Sequence, residues 1–95
     1  MAAGDFTVDA TSRQVIGTVN RISVTCEVDD TLRAFDILPD CNAIVKCTID
    51  GNSDGGDIVK SIVNEDASGT ADYGSVALQS GTNSTDTFRV TLDYI

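Results

Sequence analysis

The chain has 95 residues, 15 of them acidic and 6 basic, for a formal net charge of −9, with no His and no Trp. That length holds one hydrophobic core and excludes a second domain. A surface so negative repels phosphate backbones and anionic lipid, which argues against nucleic-acid and membrane partners.

In chain order, residues 1–14 carry only a weak alternation, Phe6 and Val8. They are expected to form an extended N-terminal arm that orders on a partner, with 15–95 as the folded domain; the alternative is a frayed end. "MAAGDFTVDATS" lacks a basic start and an apolar core, so synthesis in the cytoplasm is expected. No apolar run approaches the roughly 20 residues that span a bilayer.

The stretch "NRISVTCEVD" places Ile22, Val24, Cys26 and Val28 on one face and polar residues on the other, the period of a half-buried strand. "DTLRAFDIL" reads as strand or short helix; Phe35 and Ile37 suit a pleated face, so strand is preferred, closed by Pro39. "NAIVKCTID" predicts a strand with Val45, Cys47 and Ile49 inward. "DIVKSIVNED" has helical spacing, but its crowd of β-branched residues favours a strand covered on both faces. "GSVALQS" is a short strand with Val76 and Leu78 together, and "TFRVTLDYI" alternates Phe88, Val90, Leu92 and Tyr94 inward. Turn-rich clusters of Gly, Asn, Asp and Ser separate these segments. The reading is a single-domain all-β fold, a small antiparallel β-sandwich or barrel of jelly-roll-like type.

Catalytic patterns are missing. Without His the commonest general base and metal ligand is gone. The Ser residues lack a nucleophile-elbow context, and no phosphate-cradling glycine pattern precedes a helix. Three cysteines cannot complete a disulfide framework; Cys26 and Cys47 read as core, and Cys41 as a more exposed turn residue. A non-enzymatic structural or binding protein is expected. One stretch invites chemistry, "DGNSDGGD" at 50–57. Asp50, Asn52 and Asp54 alternate before Gly55, as at the front of a calcium loop, and Asp57 adds another carboxylate. The EF-hand reading fails because its twelfth position is Ser61 and the flanks read as strands. A looser calcium site remains beside the preferred reading, a soluble turn without metal or other cofactor.

Residues 30–57 resemble small β-sandwich virion proteins of tailed bacteriophages. The resemblance rests on a strand ending in Leu-Pro, "AFDILP" at 34–39, a turn "DCN" at 40–42, and the apolar strand "AIVKCTID" at 43–50. The loop "GNSDGGD" follows, and the chain closes on Tyr94 and Ile95. The turn departs from the pattern, with Asp40 and Cys41 where Gly or Ala is more usual. The resemblance implies a capsid decoration or cement protein that binds between major capsid subunits, often as a trimer. It implies synthesis in the host cytoplasm and residence on the virion surface. A head–tail connector or tail component, and a calcium- or carbohydrate-binding β-sandwich module, are the competing expectations.

Overall fold

A computed structural model describes residues 2–53 and 55–95. It is all-β, a single domain of two antiparallel sheets. The strands are β1 (Phe6–Ile16), β2 (Val19–Val28), β3 (Arg33–Asp36), β4 (Ile44–Asn52), β5 (Ile58–Glu65), β6 (Ala71–Ser80) and β7 (Asp86–Tyr94). One sheet has the order β1-β2-β7-β4 and the other β3-β6-β5. The β1–β2 and β5–β6 connections are hairpins, and the remaining four cross between the sheets.

The core follows from period-two patterning. Ile22, Val24 and Cys26 of β2 lie opposite Leu92, Val90 and Phe88 of β7, and all six are buried. Phe35, Val76 and Leu78 close the core from the second sheet. The predicted β3 strand is present; its Phe35 is fully buried while Arg33 turns back to pair with Asp29.

Four expectations differ from the structure. Residues 6–14, expected as an arm, form most of β1 and pair with β2 of the same chain. Phe6 meets Phe35 edge-on, with ring centroids 6.3 Å apart, and Val8 packs beside it on the core. That contact holds the segment on its own domain. In β4 an irregularity between Ile44 and Lys46 shifts the register. Ile44 is buried as a result and Val45, expected inward, is 56% exposed. Strand β5, expected to be covered on both faces, is an edge strand with Val59 turned to solvent. Ile49 of β4, also expected inward, is exposed.

The two open sides of the sandwich close differently. On the β4–β5 side, Asn64 sits at φ +62°, a left-handed conformation that Asn tolerates better than most residues. It bulges β5 and sends its amide to β4. Its Oδ1 accepts from the Ile44 N–H at 2.8 Å and its Nδ2 donates to the Ile44 carbonyl at 2.8 Å. These are the two bonds an antiparallel strand partner would exchange with Ile44, so one side chain stitches the sheets together. On the opposite side, β1 and β3 are the edges of their sheets and meet through the Phe6–Phe35 contact.

Candidate functional site

The 50–57 stretch lies at one end of the sandwich, where β4 leaves the first sheet. The residues expected to share a cation diverge there. Asp50 accepts a hydrogen bond from the Thr91 hydroxyl of β7. Asn52 is used inside its own loop: Oδ1 accepts from the Gly55 N–H, and Nδ2 donates to the Gly56 carbonyl at 2.7 Å. Asp57 is exposed, and its carbonyl accepts the Gly81 N–H at 3.0 Å. Asp54 lies outside the described residues. Among the described residues no group of three or more His, Cys, Asp or Glu side chains is placed to hold a metal ion.

The group that organises the loop comes from elsewhere. Asp86, the first residue of β7, is 1% exposed. Its carboxylate accepts from the Ser53 N–H at 3.1 Å, the Ser53 hydroxyl at 2.8 Å and the Gly56 N–H at 3.2 Å. A Cβ on residue 56 would stand 2.9 Å from Asp86 Oδ2, so a side chain there would have to push the carboxyl group aside. The loop therefore turns N–H groups inward onto a fixed carboxyl group, and those donors offset the cost of burying it. Sequence reasoning missed Asp86, yet a signal was present. It shares parity with Phe88, Val90, Leu92 and Tyr94, so the alternation that marks β7 also places Asp86 on the core face.

At the opposite end, Leu38 to Cys41 form a tight turn. The Leu38 carbonyl accepts the Cys41 N–H at 3.1 Å, with Pro39 at the position where its fixed φ suits such a turn. The Leu38 N–H donates to the Gly74 carbonyl at 3.0 Å. Gly74 has φ +94°, and a Cβ there would fall 2.0 Å from the Leu38 carbonyl oxygen. This close approach fixes the turn against β6. Beside the turn opens a cavity of about 320 Å3, lined by Arg13, Ile37, Leu38, Pro39, Asp40, Cys41 and Tyr94. The exposed aliphatic residues Val15, Ile16, Val45 and Ile95 belong to the same end: Val15 pairs with Asn20, Asn20 with Tyr94, and Tyr94 with Ile44.

The cysteines are unpaired thiols. Burial pushes Cys26 up to about 12, with Cys47 and Glu27 adding to the shift. Burial also raises Cys41 and Cys47 above the ordinary thiol range. All three are therefore protonated near neutrality, and a protonated thiol is a poor nucleophile.

The outer face of the first sheet is polar. Arg21 grips Asp93 with two hydrogen bonds, Nε to Oδ1 at 2.7 Å and Nη2 to Oδ2 at 3.1 Å. That guanidinium is the first cause of the lowered Asp93 pKa. Arg21, Asp93, Ser23, Thr48, Asp50 and Arg89 help to line an open groove of about 470 Å3. Fixed hydroxyl, carboxylate and guanidinium groups of this kind can hydrogen-bond a polar ligand. Comparisons of the chain with protein-family models, with curated proteins and with solved structures find no match.

Proposed function

We propose that the chain is a non-enzymatic structural protein of a tailed-bacteriophage virion, a decoration protein that binds between major capsid subunits and stabilises the head. The observation that carries this reading is the free edge of β1. β1 is 11 residues long, is paired on one side by β2 alone, and ends in the exposed pair Val15 and Ile16. An edge strand offers a row of unpaired N–H and C=O groups to a neighbouring sheet, and adjacent apolar side chains add burial. A rigid small domain that contributes such an edge across two capsid subunits ties them together. The partner is the major capsid protein, and a homo-oligomer, favoured as a trimer, would match the local symmetry of a capsid lattice. The chain is made in the host cytoplasm and ends on the capsid surface.

The test is quantitative mass spectrometry of purified virus particles from the source culture. About one copy per major capsid protein is expected for a protein spread over the shell. A ratio on the order of a hundredth moves it to the neck or tail, the alternative virion reading. Its absence from otherwise complete particles overturns the virion reading. The polar groove favours a second reading, a carbohydrate-binding module. In that case oligosaccharides titrated into the protein would perturb Arg89 and Asp50, and calcium would raise the melting temperature if the 50–57 loop took part.

A further inference from the structure

The end that carries the Leu38–Cys41 turn holds both a projection and a hollow. The projection is the tip of the β1–β2 hairpin, where Val15 is 73% exposed and Ile16 45% exposed. The hollow is the cavity of about 320 Å3 beside the turn, with Ile37, Leu38, Pro39 and Tyr94 supplying its apolar walls. We propose that this end is a copy-to-copy interface, in which the Val15–Ile16 tip of one molecule enters the Leu38–Tyr94 cavity of a second.

Three observations support this assignment. A molecule cannot fill its own cavity with its own tip, because the pairing of Gln14, Val15 and Ile16 with Arg21, Asn20 and Val19 fixes the hairpin with Val15 in solvent. Projection and hollow are also neighbours, since Arg13, two residues before Val15, lines the cavity. A reciprocal arrangement therefore buries both tips and both cavities at once, as a self-complementary interface requires. The third observation is charge. Arg13 and Asp40 both line the cavity and both are exposed. Among the described residues the ion pairs are Arg21–Asp93 and Arg33–Asp29, and neither Arg13 nor Asp40 belongs to them. Across a reciprocal contact, Arg13 of one copy faces Asp40 of the other. An opposite-charge pair at the rim sets register and partner choice.

The inference rests on self-association in the proposed function, but a reciprocal contact closes as a two-fold dimer in place of the trimer favoured there, and its test needs no virus particle. Sedimentation equilibrium of the purified chain, from about 1 to 100 μM, is expected to show reversible association in the range of a weak, small interface. Val15→Asp puts a charge on the tip and is expected to weaken association about tenfold or more. Arg13→Asp and Asp40→Arg each oppose like charges and weaken it, and the double exchange restores it. Because all three residues are exposed, their variants fold, which thermal melting verifies. A wild-type chain that stays monomeric at 100 μM overturns the proposal. So does association that survives Val15→Asp, or a double exchange that behaves like the sum of its single variants. Copy number on particles is read separately, so a monomeric chain found at full copy number would defeat this interface and leave the capsid role standing.

Discussion

The two ends of the sandwich spend their polar groups differently. At the 52–57 end, the Asp86 carboxylate, the Asn52 amide and the Ser53 hydroxyl are engaged within the fold. At the 38–41 end the backbone packs tightly on itself through Gly74, while aliphatic side chains and a cavity remain open. The acidic, glycine-rich stretch, which draws the eye as a ligand site, is scaffold over most of its length. The plain turn "LPDC" borders the surface with unburied apolar area, and such area marks contact sites more reliably than composition does.

The largest expected effect tests the turn end. Gly74→Ala places a methyl group against the Leu38 carbonyl and strains a left-handed residue. It is expected to cost about 4 kcal/mol, read as a lowered urea midpoint. A loss below about 1 kcal/mol would show that this end yields easily. Next comes the loop end. Asp86→Ala leaves the Ser53 and Gly56 N–H groups without that acceptor and is expected to cost about 2–3 kcal/mol. Amide exchange should quicken around 53–56 and stay slow around 38–41. Asn64→Gly keeps the left-handed backbone but deletes both bonds to Ile44, for an expected loss of about 1–2 kcal/mol. Exchange at Ile44 then reports whether the β4–β5 side has opened.

The smallest effect is in pH. Asp29 lies near the loop end, and its pKa is lowered chiefly by the hydrogen bond from Arg33; Asp93 lies near the turn end, lowered chiefly by Arg21. Depressed folded values mean that this stabilisation is complete above the unfolded carboxylate range and fades as pH falls through the folded values. Melting temperature is therefore expected to drop below about pH 4. Arg21→Gln and Arg33→Gln should each flatten that drop, by a modest amount because each guanidinium remains partly open to solvent.

Much of this fold is legible in the residues. Strands β2 and β7 alternate without interruption because both lie inside the sheet and pair along their whole length. The start of β4 is not legible, because the bulge at 44–46 reverses which of Ile44 and Val45 points inward. A single inserted residue leaves no mark in composition. The inward parity of Asp86 was available, but which N–H groups it would meet depends on Ser53 and Gly56, some 30 positions upstream. The cavity was not readable at all. It forms where Arg13, the Leu38–Cys41 turn and Tyr94 converge from three distant parts of the chain.

The most direct test of the contrast between the two ends is amide hydrogen exchange on the intact chain at low and high protein concentration. Raising the concentration is expected to slow exchange at 13–19 and 37–45 and to leave 52–57 unchanged. Slowing confined to 52–57, or no concentration dependence at either end, would contradict that contrast.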